Sequence, residues 1–360
     1  MLLKNFDLKD AEVQKSLLLN KDFCSSWLSY RKQYMTALDL LFGLAKEKKC
    51  QLNSMSMPFM FIFRHSVELM LKMECNNKNI EIPKVHALLE ITDSLGEFDS
   101  LDKEKLSVLN WNTQGDEFRY NVWENWKNNV DGELLDVYSA SSYFSSMQNF
   151  DNVIELGDKK LHNELTFHLR DVLYLGQVRT QYDLCTLNLV NSVLVGNKTI
   201  DTVFLPIMFC LRHGMELALK SSLLQLVGLG ETSKKNIKKT HSLVKLSNVL
   251  DKWLDLVIGK ISQQDSLYKE TISKRKLWNS LKEKIQRLDA RSLTFRFPDV
   301  SVVSFEKDIV IQILDLYQQV NSYLTFCIDV LANNCGYAIN VTELDLSLIH
   351  ISEPTRLALI

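Results

Sequence analysis

Proline and glycine are scarce in this sequence. Its 360 residues include only 5 prolines and 12 glycines, and a chain poor in these turn-forming residues favours long helices over a strand-rich fold. Apolar residues make up 46% of the chain and charged residues 24%, which is typical of a globular protein. We therefore predict an all-α fold, and the length is enough for about two domains.

Long apolar runs and an excess of positive charge are also missing. Nowhere do about 18 uncharged apolar residues follow one another, and the opening MLLKNFDLKDAEVQK has no apolar stretch of signal-peptide length. The net charge is −2, so binding to nucleic acid would require a local basic patch rather than a basic protein. We expect a cytoplasmic protein that has no contact with a membrane.

Paired metal ligands and the common nucleotide-binding motifs are absent from the sequence. The 7 cysteines include no C-x-x-C pair, and we interpret them as reduced thiols of the core. The sequence contains no G-x-x-x-x-G-K-[ST], G-x-G-x-x-G, H-E-x-x-H or G-x-S-x-G motif. We therefore predict neither a metal ion nor a cofactor.

The carboxyl-terminal segment stands apart from the rest of the sequence. Residues 346–356, LSLIHISEPTR, resemble the in-frame translation of a transposase sequencing adapter. We therefore expect residues 346–360 to be an artefactual tail, and we exclude them from the fold as a fusion scar would be excluded. On this interpretation the natural carboxyl terminus is missing from the sequence.

An internal repeat is the strongest feature of the sequence. The segments PFMFIFRHSVELMLK (58–72) and PIMFCLRHGMELALK (206–220) share nine identities in fifteen positions, at an offset of 148 residues. Further matches fall in the same order along both halves: Arg31, Gln33 and Tyr34 with Arg179, Gln181 and Tyr182; His86 with His241; Phe118-Arg119-Tyr120 with Phe295-Arg296-Phe297; and 134–138 with 313–317. We predict two tandem four-helix bundles, residues 1–160 and 161–340, that are copies of one unit.

Apolar spacing predicts four helices in each copy. They cover 24–47, 57–75, 86–95 and 131–156 in the first copy, and 170–195, 203–228, 241–258 and 303–332 in the second. Thr240 is the predicted N-cap of the third helix of the second copy. The basic run 233–241 before it is predicted to be a loop, and an irregular stretch is predicted before each fourth helix.

Four polar residues repeat on one face of the second helix. Because each residue turns an α-helix by about 100°, they share a single stripe. The stripe consists of Arg64, His65, Glu68 and Lys72 in the first copy, and of Arg212, His213, Glu216 and Lys220 in the second. It is a solvated charge ladder worth about 0.2–0.5 kcal/mol per pair, a partly buried Arg–Glu pair that orients helices, or a ligand-binding surface.

Two histidines and two arginines are the other polar residues kept in both copies: His86, His241, Arg119 and Arg296. A histidine near a helix start is often a cap or a satisfied core residue. The functional alternative is a metal-free site for breaking a phosphodiester, in which the histidine accepts a proton. The arginines of the same copy, Arg64 with Arg119 and Arg212 with Arg296, would hold the phosphate.

A basic run precedes the second of these histidines. It includes Lys238 and Lys239, and its position beside His241 favours an anionic ligand at that end of the bundle. Such runs are more often solvated than ligand-bound. The corresponding loop of the first copy is shorter and less basic, so the two copies are not expected to bind equally.

The order of features in the second copy resembles the HEPN superfamily (higher eukaryote and prokaryote nucleotide-binding), whose members are four-helix bundles. The resemblance rests on Glu216-Leu-Ala-Leu-Lys220 at the end of an apolar helix, the helix start Thr240-His241-Ser-Leu, and Arg296-Phe-Pro298. It implies a protein that binds RNA or a nucleotide, in a bacterial antiphage-defence or toxin system. Many members are metal-independent ribonucleases, which would be the activity if this chain is an enzyme.

One departure from the family pattern weakens the expectation of cleavage. Ribonuclease members carry an arginine followed about four to six residues later by a histidine, and this spacing occurs nowhere in the sequence. The alternative is a catalytically silent scaffold or antitoxin-like protein that binds a protein partner. The sequence does not indicate the oligomeric state.

Overall fold

The structure is a computed structural model that describes residues 6–20, 25–47, 49–96, 103, 106, 118–120, 134–136, 166–168, 175–226, 230–290, 293–298 and 305–335. These residues are almost entirely helical, which confirms the predicted all-α class. The predicted tail 346–360 and most of the predicted fourth helix of the first copy, 131–156, lie outside the described residues.

Eleven α-helices have both ends within the described residues. In order they are α1 (Ala11–Leu17), α2 (Trp27–Lys46), α3 (Ser56–Asn77), α4 (Leu88–Leu95), α5 (Leu175–Leu194), α6 (Phe204–Gln225), α7 (Glu231–Lys239), α8 (Leu243–Lys260), α9 (Ser266–Asp289), α10 (Ile309–Thr325) and α11 (Asn333–Cys335). Short 3₁₀ turns at Leu52–Met55 and Ile200–Thr202 lead into α3 and α6, and a π-helical stretch, Phe326–Ala332, follows α10.

Most of the predicted helices are present, and four details differ. The basic run 233–241 is largely helical, as α7, rather than a loop. The N-cap of α8 is Ser242, whose hydroxyl accepts from the backbone of Lys245, and not Thr240. Helix α9 was not predicted. Its buried residues recur at helical spacing over a largely polar sequence: Thr271, Trp278, Leu281, Ile285 and Leu288.

The fourth difference lies at the predicted start of the fourth helix of the first copy. Residues Leu134–Asp136 form a strand, β1, which pairs antiparallel with β2, Thr166–His168. In this register Leu135 lies opposite Phe167. A short apolar run such as Leu134-Leu135 does not distinguish helix from strand, and the helical prediction is wrong at these three residues.

Helices α3 and α6 are the equivalent second helices of the two copies, and they form the core. Nearly every residue of α3 from Ser56 to Met73 is buried, and α6 is buried over almost its whole length. Aromatic contacts join them, since the rings of Phe61 and Phe209 stack with centroids 4.0 Å apart. A helix that is apolar on most sides belongs in a core, so the polar stripes of both helices lie where water is excluded.

Equivalent side chains of α2 and α5 satisfy the first turns of these two core helices. The side-chain oxygen of Gln33 accepts a hydrogen bond from the backbone N–H of Leu205, at 2.8 Å. Its counterpart Gln181 accepts from the N–H of Met57, at 2.8 Å, and from the hydroxyl of Ser56, at 3.1 Å. The first turn of a helix has N–H groups without an intrahelical partner. Each copy therefore caps the core helix of the other.

The chain divides into two compact units. We call unit A the part formed by Leu2–Leu211 and Leu293–Ile311, and unit B the part formed by Arg212–Ser292 and Gln312–Ile360. The predicted boundary between residues 160 and 161 lies outside the described residues and stays a prediction. Within unit A the bonds of Gln33 and Gln181 join α5 and the start of α6 to the first copy.

In unit B, a hydrogen bond and an ion pair join α8 to α9. Asp251 of α8 accepts a hydrogen bond from the indole N–H of Trp278, at 2.9 Å, and forms an ion pair with Lys282 of the same helix, α9. Trp278 in turn stacks on Tyr323 of α10, with ring centroids 4.8 Å apart.

No helix in the part of the chain that the structure describes is long and apolar enough to span a membrane.

Candidate functional site

The repeated polar stripe forms a buried ion cluster in the first copy. We call the group Arg64, His65, Glu68, Lys72 and His86 the first-copy site. Arg64, Glu68 and Lys72 are only 3%, 2% and 5% exposed, and the carboxylate of Glu68 lies 3.2 Å from Arg64 and 3.0 Å from Lys72. The interpretation as a solvated charge ladder is therefore wrong, and the cluster matches the buried Arg–Glu pair that was its alternative.

Glu68 is the centre of the first-copy site. Its Oε1 accepts from the Nδ1 of His86 at 2.7 Å, and its Oε2 lies 3.8 Å from the Nδ1 of His65. Burial would raise the pKa of Glu68, but the charge of Lys72 and the hydrogen bond from His86 hold that pKa well below its ordinary value. Glu68 is therefore an anion that fixes the surrounding cationic and imidazole groups.

Arg64 is occupied by contacts within the protein. One terminal nitrogen pairs with Glu68, and the other donates to the backbone carbonyl of His86 at 2.6 Å. A guanidinium that is buried and bonded in this way ties α3 to the start of α4 rather than presenting its donors to a ligand. The geometry thus argues against the predicted phosphate-binding role of Arg64, and the same holds for Lys72, which is buried against Glu68.

His65 is a core residue of unit A. Its Nε2 donates to the backbone carbonyl of Arg296 at 2.8 Å, and its ring makes an edge contact with Tyr34 at 4.7 Å. Burial lowers the pKa of His65 to about 4 despite the opposing bond from Glu68. His65 is therefore neutral near physiological pH and anchors the segment that contains Arg296.

That segment comes from the other copy of the repeat. The ring of Phe297 stacks on His86, with centroids 5.6 Å apart, and the ammonium of Lys72 lies 4.6 Å from the Phe297 centroid. The phenol of Tyr34 also donates to the carbonyl of Phe295 at 2.8 Å. Arg296 was predicted to complete the site of the second copy, and the structure shows its segment bordering the first-copy site.

Arg119 was predicted to hold a phosphate beside His86, and the structure gives it different surroundings. Its side chain is buried, and one terminal nitrogen donates to the hydroxyl of Tyr120 at 3.0 Å. The preceding residue, Phe118, accepts from the phenol of Tyr182 on α5 at 2.9 Å. The short segment 118–120 therefore packs against the first helix of the second copy, as 293–298 packs against the first helix of the first copy.

The second copy repeats the ion cluster in unit B. We call the group Arg212, His213, Glu216, Lys220 and His241 the second-copy site. Glu216 is fully buried and pairs with Arg212, with Lys220 at 2.9 Å and with the Nδ1 of His241 at 3.1 Å. His213 is also buried, and its Nδ1 lies 3.8 Å from Glu216. Burial opposes the ionised form of Glu216, but Lys220 and Arg212 keep its pKa well below the ordinary value.

Asp289, the last residue of α9, joins the second-copy site. It pairs with Arg212 at 2.9 Å, and its other oxygen accepts from the hydroxyl of Ser242 at 2.7 Å and from the N–H of Val244 at 3.3 Å. Arg212 also donates to the carbonyl of His241 at 2.6 Å. The arginine and aspartate together hold the start of α8 in place, so the predicted phosphate-binding role of Arg212 is again not favoured by the geometry.

The predicted basic residues of the second copy lie at the end of α7. The side chains of Lys238 and Lys239 are exposed, and the carbonyl of Lys238 accepts from the buried ammonium of Lys220 at 3.1 Å. This bond fixes the end of α7 to the second-copy site. Lys220 itself is buried, so only Lys238 and Lys239 of these three lysines are positioned to meet a ligand in solution.

The histidines that the repeat places at matching positions, His86 and His241, are the most exposed members of the first-copy and second-copy sites. The side chains of His86 and His241 are 32% and 29% exposed, whereas the glutamates that bind them are buried. A carboxylate at Nδ1 fixes the tautomer and orientation of an imidazole, and the rest of the ring then faces a ligand. Each site can therefore present an oriented imidazole for hydrogen bonding or proton transfer. The sequence identified both histidines and both glutamates, but not the bond that joins the histidine to the glutamate in each copy.

Comparisons of this chain with protein-family models, with curated proteins and with solved structures give no match. The resemblance to the HEPN superfamily therefore stays a prediction based on the sequence motifs.

Proposed function

We propose that this chain is a cytoplasmic HEPN-like protein that binds RNA or a nucleotide, within a bacterial antiphage-defence or toxin system. The single observation on which the proposal depends is the repeated Glu–His pair. His86 and His241 each project to the surface while a buried glutamate holds their Nδ1. A chain that needed these residues only for its core would bury the imidazoles as it buries His65.

The exposed lysines of α7 support an anionic ligand. Lys238 and Lys239 are exposed and come two and three residues before His241, so they add positive charge at the end of α7 that leads to this histidine. Phosphate contacts by lysine supply affinity without sequence preference and make binding depend on salt. The second-copy site is therefore the proposed position of phosphate binding, with His241 as the group nearest to the ligand.

If the sites are catalytic, the reaction class is metal-independent cleavage of a phosphodiester. Histidine is suited to accept a proton near neutral pH when a carboxylate orients it. In this scheme His241 removes the proton of the attacking hydroxyl, and that oxygen bonds to phosphorus while the bond from phosphorus to the leaving oxygen breaks. A proton from water reaches the leaving oxygen, and the imidazolium returns its own proton to water. Lys238 and Lys239 stabilise the negative charge on the phosphate at this second-copy site, and His86 plays the same part as His241 at the first-copy site. Arg64 and Arg212 take no part in this proposal, because they are occupied by Glu68 and Glu216.

A second candidate function is a catalytically silent scaffold or antitoxin-like protein. The observation that favours it is the burial of both ion clusters, in which six charged side chains serve contacts within the protein: Arg64, Glu68, Lys72, Arg212, Glu216 and Lys220. Buried ion pairs can specify how helices pack without contributing to a ligand site. On this view the histidines complete the cluster, and a protein partner binds elsewhere.

The proposal is tested by equilibrium binding of a labelled single-stranded RNA to the full chain. We expect the K238Q/K239Q variant to bind more weakly. Its log affinity should also fall less steeply with log salt concentration, with the magnitude of the slope reduced by about 0.7 for each lost phosphate contact. The matched control is K269Q/K276Q, which neutralises two exposed lysines of α9. Equal losses in the two variants would show nonspecific attraction and would overturn the site assignment.

A second measurement separates binding from cleavage and from the scaffold function. Growth and total-RNA integrity are followed in bacteria that express the chain or its H86A/H241A variant. RNA breakdown that the variant abolishes supports the ribonuclease form of the proposal, and binding without breakdown supports the binding form. A chain that neither binds RNA nor nucleotides in vitro nor changes cellular RNA would favour the scaffold.

A further inference from the structure

Three rings form a continuous row at the surface beside the first-copy site. The centroid of Phe297 lies 6.5 Å from that of Trp27 and 5.6 Å from that of His86. All three side chains are partly exposed. They come from three separate parts of unit A: the start of α2, the segment 293–298, and the turn before α4.

Exposed apolar side chains and two arginines come close to these rings along the chain. Leu28 follows Trp27 and is 47% exposed, and Leu293, at the start of the segment that contains Phe297, is 54% exposed. The guanidinium of Arg296 lies 5.2 Å from the Phe297 centroid and is partly exposed. Arg31, one helical turn after Trp27, projects from the same side of α2.

The contacts of the segment 293–298 show why the row is held in place. The carbonyl oxygens of Thr294, Phe295 and Arg296 accept from Tyr30, Tyr34 and His65, respectively. Three consecutive carbonyls are thus bonded to side chains of the buried core. The side chains of Arg296 and Phe297 are left at the surface on a fixed backbone, and a rigid aromatic loses little entropy when a ligand stacks on it.

We propose that Trp27 and Phe297 form a stacking platform for an unpaired nucleobase, with Arg296 contacting the phosphate of the same nucleotide. This inference deepens the proposed function and depends on it, because it names the ligand of the first-copy site. The ligand class is an unpaired nucleobase that carries a phosphate, from a single strand of RNA or from a free nucleotide. The base lies beside His86, whose Nε2 can accept a hydrogen bond from it because Nδ1 donates to Glu68.

The composition of the surface favours an unpaired base over a duplex or a protein. Every base has an aromatic face, and stacking on protein aromatics requires that the base leave the helix. An A-form duplex presents its backbone and shallow groove, which exposed lysines would contact rather than a row of rings. The neighbouring Arg31 and Arg296 match the charge of a phosphate. A protein partner would also use aromatic and arginine side chains, and the test includes that outcome.

The experiment measures anisotropy of a labelled single-stranded oligoribonucleotide of about ten nucleotides with the full chain. The variants are F297L and W27L, which keep an apolar side chain but remove the aromatic face, and W27F, which keeps a face. The matched control is F305L, which changes another half-buried phenylalanine of unit A that packs on Phe204. Circular dichroism checks that every variant is folded.

We expect F297L and W27L each to weaken binding about tenfold, as loss of base–aromatic stacking does, and W27F and F305L to bind like the unchanged chain. A duplex of the same sequence should bind at least about tenfold more weakly. Competition with adenosine monophosphate identifies the source of the base. Displacement at comparable concentrations assigns the platform to free nucleotides, and displacement by the strand alone assigns it to RNA; either result supports the platform.

Two results would overturn the inference, and they differ in what they say of the proposed function. If the chain binds the strand but F297L and W27L bind like F305L, the platform is wrong while RNA binding stands. The surface is then assigned to a protein partner. If the unchanged chain binds neither the strand nor the nucleotide, both proposals fail. Because Phe297 and Trp27 lie on different elements, a folding defect in one variant still leaves the other as a test.

Discussion

The first-copy and second-copy sites are alike at the buried glutamate and differ at the surface histidine. In each, an arginine four residues before the glutamate and a lysine four residues after it form the ion cluster. At the surface, Phe297 lies on His86, whereas the exposed lysines of α7 lead into His241. The charge network is thus shared, and the exposed surroundings of the histidine vary between the copies.

This difference indicates a division of roles. A buried cluster with a central carboxylate tolerates little change, because removing one member leaves buried charge without compensation. The surface around each histidine is under no such constraint. We infer that the buried cluster positions the imidazole in both copies, and that the exposed surroundings of each imidazole, aromatic in the first copy and basic in the second, set the two sites apart.

The largest expected effect tests whether the buried clusters are equivalent. The substitutions Glu68→Gln and Glu216→Gln leave two buried cations and an uncharged amide in each site. We expect each to lower the free energy of unfolding by about 3–5 kcal/mol. Urea unfolding followed by circular dichroism measures both. A loss below about 1 kcal/mol in either variant would show that the stability of that site does not depend on its central carboxylate, and the two clusters would then not be equivalent.

Most helices could be predicted from the sequence, because burial of one helix face makes apolar residues recur at the helical spacing of about 3 to 4 residues. The apolar repeats that define α2, α3, α5 and α6 face a core on most sides, and their spacing is visible without any tertiary information. Helix α9 was missed although Trp278, Leu281, Ile285 and Leu288 have the same spacing. Its polar residues outnumber its apolar ones, so its apolar face is narrow.

The site was predicted only in part. The repeat identified Glu68 and His86, but a solvated ladder and a buried cluster use the same residue types at the same spacing, so the sequence left both possible. The neighbour of His86 was assigned to the wrong segment. Which aromatic-arginine segment packs against which histidine depends on contacts between distant parts of the chain, and local patterns in the sequence do not determine them.

The second prediction gives the first-copy site a characteristic dependence on pH. His65 has a folded pKa of about 4, against about 6.5 in an unfolded chain. At pH values between these two pKa values, the unfolded chain binds more protons than the folded chain. The free energy of unfolding therefore falls as the pH falls. We expect His65 to account for a loss of about 2–3 kcal/mol between about pH 6.5 and 4.5.

The measurement compares unfolding free energies at several pH values for the unchanged chain and for His65→Gln. Glutamine keeps a donor for the carbonyl of Arg296 but does not titrate. The range stops at about pH 4.5 because Glu68, with a lowered pKa, loses its own contribution as the pH falls further. The variant should show the smaller slope. An unchanged slope would mean that His65 does not remain neutral in the core.

The third prediction isolates a contact of the second-copy site. Asp289→Asn removes the charge that pairs with Arg212 and weakens the bonds to Ser242 and Val244. We expect a loss of about 2 kcal/mol, since these are charge-assisted bonds in a largely buried place. The control is Asp255→Asn, which removes an exposed partner of Arg275 and should cost at most about 0.5 kcal/mol. Equal effects would show that Asp289 does not hold the start of α8.

The smallest expected effect concerns the reciprocal caps of the two core helices. Gln33→Leu leaves the N–H of Leu205 without its acceptor, and Gln181→Leu does the same to the N–H of Met57 and the hydroxyl of Ser56. At about 1 kcal/mol for each lost bond, Gln181→Leu should destabilise the chain about twice as much as Gln33→Leu. Gln177→Leu, at an exposed position one turn earlier on α5, serves as the control. If Gln33→Leu and Gln181→Leu cost no more than this control, the two copies do not depend on each other for the first turns of α3 and α6, and the link between α5 and the first copy must rest on apolar packing alone.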